Sequence, residues 1–157
     1  MGALAMREDL MDLFLKILRD RAQAETIVVD AALTDALGRL SRLLAHLAAD
    51  LQVEHVGPHV GLGEGRDAFC LAVRAHEEAV GSRAWGVRVC SAGPHASLRA
   101  DWDLPAASRL RKAVIVRALP AFLAGYVEAV AQAGRLSTRS GERLSGIVRA
   151  LCASVAV

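Results

Sequence analysis

The chain has 157 residues, 54% of them hydrophobic and 23% charged, long enough for one domain with a core of its own and short for two. Thirty alanines, 22 leucines and 17 arginines stand against two lysines, no asparagine and three cysteines, which excludes a disordered chain, a collagen-like repeat and a disulfide scaffold and favours helix. The net charge of +2 is unevenly spread: residues 1–53 and 54–103 each carry −2, whereas residues 104–157 carry +6 from eight basic and two acidic side chains.

The opening Met1-Gly2-Ala3-Leu4-Ala5-Met6 lacks a basic leader and runs straight into Arg7, Glu8 and Asp9, unlike a secretory signal. The apolar stretch 113–133 is interrupted by Arg117, Pro120 and Glu128, so no clean run of about 20 apolar residues is present. Cys70, Cys90 and Cys152 form no CxxC pair. A soluble, cytoplasmic protein is the expectation.

Residues 7–23 carry Leu10, Phe14, Ile17 and Leu18 at helical spacing, flanked by Met11 and Leu15, and predict a first amphipathic helix. Residues 26–29, Thr-Ile-Val-Val, are all β-branched and read as a short strand or a join between helices. From Asp30, a fair N-cap, Leu33, Leu37, Leu40, Leu44, Leu47 and Leu51 recur at alternating steps of four and three. That heptad seam lines either the inside of a helical layer or an interface with a second copy. Its first five leucines are the candidate interface residues.

Beyond Leu51 the period changes to two. Phe69, Leu71 and Val73 alternate with smaller or polar residues, as do Trp85, Val87 and Val89, and then Leu98, Ala100 and Trp102, predicting an antiparallel meander. A first hairpin centred near Val80 sets Val73 against Val87, Leu71 against Val89 and Cys70 against Cys90. A second centred on Gly93-Pro94 sets Val89 against Leu98, Val87 against Ala100 and Trp85 against Trp102, and leaves Arg88 opposite Arg99.

The last third returns to helix. Asp103 is the expected cap of a helix through Leu110 and Val114 to Leu119, with Pro120 breaking or restarting it. Phe122, Leu123, Tyr126, Val127 and Val130 form a stripe closed by Gly134, and Leu144, Ile147, Val148, Leu151 and Val155 mark a final helix. The fold class expected is α+β: a three- to four-stranded antiparallel β-meander (53–103) with N-terminal helices (7–51) and C-terminal helices (104–156) packed on its Trp85/Trp102 face. A single domain over 1–157 is expected.

Chemistry-bearing motifs are sparse. Gly61-Leu62-Gly63-Glu64-Gly65 lacks the third glycine of a dinucleotide turn and the Gly-Lys-Ser/Thr of a P-loop. His55, His59, His76 and His95 with Cys70 and Cys90 match no zinc spacing. No serine sits in a nucleophile elbow, and Asp103 reads better as a cap than as a cation ligand. The basic residues Arg109, Arg111, Lys112 and Arg117 point around their helix, and no nucleic-acid-binding signature accompanies them or Arg139, Arg143 and Arg149. No catalytic residue, metal site or cofactor is assigned, and neither nucleic acid nor membrane is expected as a partner. One polar set stands out: Arg74, Arg88 and Arg99, one per predicted strand on one sheet face, suited to a small anionic ligand because the guanidinium fork binds carboxylate or phosphate. Asp101, Asp103, Glu77 and Glu78 are at hand to neutralise them instead. The expectation is a non-catalytic accessory or adaptor protein, acting as a homodimer through the leucine helix or a sheet edge on an unidentified protein partner. Anion binding at the three arginines is the alternative.

Overall fold

The computed structural model describes residues 2–61, 68–79, 81–91 and 101–153. Two helices, α1 (Gly2–Gln23) and α2 (Ala31–Leu51), precede β1 (His55–Val56), β2 (Phe69–Ala79), β3 (Ser82–Ser91) and β4 (Asp101–Asp103). A 3-10 turn at Leu104–Ala106 leads into α3 (Arg109–Gln132) and α4 (Arg139–Cys152). The class is α+β, with strand order β1-β2-β3-β4 and every neighbour antiparallel.

Residues 26–29 form the join and not a strand. Its end is tied by Asp30, whose carboxylate accepts from Leu33 N–H at 3.0 Å and pairs with Arg21 at 2.9 Å. The Arg21 hydrogen bond and that backbone N–H hold the Asp30 carboxyl below its ordinary value. The heptad leucines of α2 are spent inside the chain: Leu33, Leu37, Leu40 and Leu44 have no exposed surface and Leu47 only 2%. On α1 the buried stripe follows Met11, Phe14, Leu15, Leu18 and Ala22. Leu10, expected to face inward, is 47% exposed, because it lies about 100° round the helix from Met11.

The first hairpin has the expected register, with Val73 opposite Val87 and Leu71 opposite Val89, and Gly81 supplies the left-handed turn residue at φ +81°. The second register differs by four residues. Val89 lies opposite Trp102, Arg88 opposite Asp103 and Cys90 opposite Asp101; the expected Gly93-Pro94 turn, with Leu98, Arg99 and Ala100, falls outside the described residues. An even shift preserves the two faces, and it replaces an Arg–Arg opposition by an ion pair, Arg88 Nη1 to Asp103 Oδ1 at 3.4 Å.

Ser108, not Asp103, caps α3: its hydroxyl accepts from Arg111 N–H at 3.3 Å. The helix runs through Pro120, although proline removes one backbone bond. Ile115, Val116 and Leu119 before it and Phe122, Leu123, Tyr126 and Val130 after it are all buried, so packing on both sides offsets the loss. By length and composition α3 is apolar enough to cross a membrane, but here these residues form the centre of the core. One apolar cluster joins all four helices to Phe69, Leu71, Val73, Val87 and Val89 of the sheet.

Candidate functional site

The directions of the backbone groups follow from three hydrogen bonds. Val60 and Phe69 exchange both of theirs, at 2.6 and 2.9 Å, and Gly57 N–H donates to Leu71 O at 2.8 Å. Phe69, Leu71 and Val73 thus address the β1 side, and Cys70, Ala72 and Arg74, alternating with them, address β3. Their partners Cys90, Arg88 and Gly86 point back, which leaves Arg83, Trp85, Val87 and Val89 directing their N–H and C=O groups to the far side of β3. Val89 meets Trp102 there, but β4 stops at Asp103, opposite Arg88. Among the described residues no strand pairs with β3 on this side from residue 82 to 87.

A cleft of about 230 Å³ lies against this edge, walled by Ser41, Arg42 and Ala45 of α2, by Trp85 and Val87, and by Pro105. Arg83 and Arg42 are exposed beside it. Trp85 is partly buried and packs on the main core. Pro105 explains the short β4: lacking an N–H, it sits just beyond the strand in the 3-10 turn.

Of the three predicted arginines, Arg74 and Arg88 lie among the described residues. Arg74 stands opposite Gly86 and Arg88 opposite Ala72, so they are diagonal neighbours on the face away from the helices. Arg74 Nη2 donates to Cys90 Sγ at 3.4 Å, Arg88 is paired with Asp103, and Arg99 falls outside the described residues. On the same face Cys70, Ala72 and Cys90 form a second, small buried cluster.

The histidines are dispersed. His55 lies on the core side of β1, its ring centroid 5.3 Å from Phe122 and 6.2 Å from Tyr126; burial pushes its pKa down. A Cβ on Gly125 would come within 2.8 Å of His55 Nε2, so glycine is what lets β1 approach α3. Tyr126 has no exposed surface, its hydroxyl has no hydrogen-bond partner among the described residues, and burial pushes its phenol up to about 12. His59 is exposed, His76 lies on β2 and His95 is outside the described residues. No group of three metal-ligating side chains occurs among the described residues.

Two of the other clefts are larger. One, of about 530 Å³, runs between the α1–α2 join and α3, lined by Ile27, Val60, Val114, Arg117 and Ala118; Arg117 Nη2 donates to Ala24 O at 2.8 Å. The other, of about 520 Å³, holds His46, Arg139 and Arg143 near Asp50, which accepts from the Ser140 hydroxyl. The free edge of β3 was not singled out from the sequence. Its only trace there is the Leu104-Pro105 pair, which stops β4 short. No protein-family model, curated protein or solved structure matches this chain.

Proposed function

We propose that this chain is a non-catalytic accessory or adaptor protein that acts through protein–protein contact as a homodimer, joined along the free edge of β3. The observation that carries this reading is that edge: among the described residues no strand lies beside Arg83 and Trp85, whose backbone groups point outward between the turn at Gly81 and the end of β4 at Asp103. An uncovered strand edge is a template for another strand. The segment is self-complementary under two-fold symmetry. An axis beside Trp85 sets Arg83 of each copy against Val87 of the other and matches outward N–H groups with outward C=O groups. The leucine helix does not contribute, because its seam lies in the core. A cytoplasmic setting belongs to this reading and rests on cysteine usage.

Anion binding at Arg74, Arg88 and Arg99 draws less support, since Cys90 and Asp103 already accept from the first two. A thermal-shift screen with carboxylates and phosphates, wild type against Arg88→Ala, tests it.

Light scattering over about 1–100 μM tests the dimer. The dimer mass is expected, weakened by Val87→Pro far more than by Val87→Ala: both disturb the packing of the buried valine, but only proline also removes the outward N–H. A monomer at every concentration overturns the reading, as does a dimer indifferent to these changes.

A further inference from the structure

We infer that Cys70 and Cys90 form a site of reversible oxidation, closing a cross-strand disulfide when the protein meets a hydroperoxide. The inference is independent of the β3 edge. The two residues are direct partners in the β2–β3 register, and the backbone directions make theirs a hydrogen-bonded pair. In such a pair the Cα atoms are about 5.5 Å apart, inside the span of about 4.4–6.8 Å that a disulfide bridges. Directly opposed side chains in a sheet share a face, and these two thiols lie in one small cluster with Ala72, 7% and 8% exposed and unbridged.

Arg74 Nη2 donates to Cys90 Sγ at 3.4 Å, and a guanidinium held against sulfur favours the thiolate, the reactive form. Cys90 is therefore the attacking sulfur and Cys70 the resolving one. The Cys90 thiolate attacks a peroxide oxygen. The O–O bond breaks, the leaving oxygen takes up a proton, and Cys90 becomes a sulfenic acid. The Cys70 sulfur then gives up its proton and attacks the Cys90 sulfur; the S–O bond breaks and hydroxide leaves as water. Two thiols lose two electrons in all, and hydrogen peroxide is reduced to two waters. A thiol reductant reverses the change by exchange. The outcome accords with a reducing compartment, where disulfides are transient and redox-sensing rather than structural.

The test uses the full chain carrying Cys152→Ser, since Cys152 is exposed and would otherwise react independently. Hydrogen peroxide is expected to lower the intact mass by about 2 Da, with a Cys70–Cys90 cross-linked peptide on digestion and full reversal by dithiothreitol. Adding Cys70→Ser is expected to halt the reaction at a Cys90 sulfenic acid trapped by dimedone. Adding Cys90→Ser instead is expected to give about tenfold less adduct at Cys70, and Arg74→Gln to slow oxidation about threefold or more. Both thiols remaining open to alkylation after denaturation, or a mass gain of about 16 or 32 Da in place of the loss, overturns the proposal. Equal dimedone labelling of the two single-cysteine chains overturns the assignment of Cys90 as the attacking sulfur.

Discussion

Replacing Tyr126 with phenylalanine is expected to make the protein more stable. Tyr126 is fully buried on α3 and its hydroxyl has no partner among the described residues. A buried hydroxyl left unsatisfied costs roughly 1–3 kcal/mol. Phenylalanine removes that cost and keeps the ring that stacks on His55 at an interplanar angle of 19°, at the expense of a void one oxygen atom in size. The net gain is about 1 kcal/mol, a rise in Tm of about 2–4 °C for a chain of this length. Thermal and urea unfolding at pH 7 measure it, with an unchanged urea slope showing that the denatured state is the same. The pH dependence gives a second reading of the same group. Its folded pKa of about 12 lies above the ordinary value of 10.0, so the wild type holds its full stability below pH 10 and loses it as the pH rises from there toward 12. The integrated loss is roughly 2–3 kcal/mol, and Tyr126→Phe is expected to abolish it. A Tyr126→Phe protein less stable than wild type by about 1 kcal/mol would refute the reasoning, because it would mean that the hydroxyl is hydrogen-bonded.

Two further expectations follow from the core and from β1. Leu40→Ala, at a position with no exposed surface, is expected to cost about 3 kcal/mol in urea unfolding without a change in subunit association; loss of the dimer mass in a chain that keeps its wild-type Tm would place the seam at an interface instead. His55 has a folded pKa below its ordinary value of 6.5 because of burial, so its contribution is complete above pH 6.5 and is lost as the pH falls through the folded value. His55→Phe is expected to flatten the Tm-against-pH curve below pH 6.5, and an unchanged slope there would show that other groups carry it.

Most of the secondary structure is legible in local pattern. The leucine spacing of α2, its Asp30 cap, the first hairpin and the final helix all follow from periodicity and turn residues, which act over a few positions along the chain. The second register was misread for a reason the side chains make plain. Pairing apolar with apolar residues matched Val89 equally well with Leu98 or Trp102, and the deciding contact was polar, Arg88 with Asp103. The α3 cap moved from Asp103 to Ser108 because Leu104 is needed in the core, where it is fully buried, and the chain makes a 3-10 turn to place it there. Pro120 lies within α3 because the apolar side chains before and after it are buried together.

The candidate sites divide in the same way. Cys70 and Cys90 were legible as facing residues, since a hairpin register is a local property of two strands and one turn. What the sequence by itself determined was the class of fold, the helix faces and the first hairpin, all consequences of short-range spacing. Tertiary structure alone decided that the leucine seam is interior, that Arg88 is paired with Asp103, and that among the described residues no strand lies beside β3 over residues 82–87. Each of these depends on which distant segment arrives beside a residue and where that segment stops, and no periodicity along the chain encodes either.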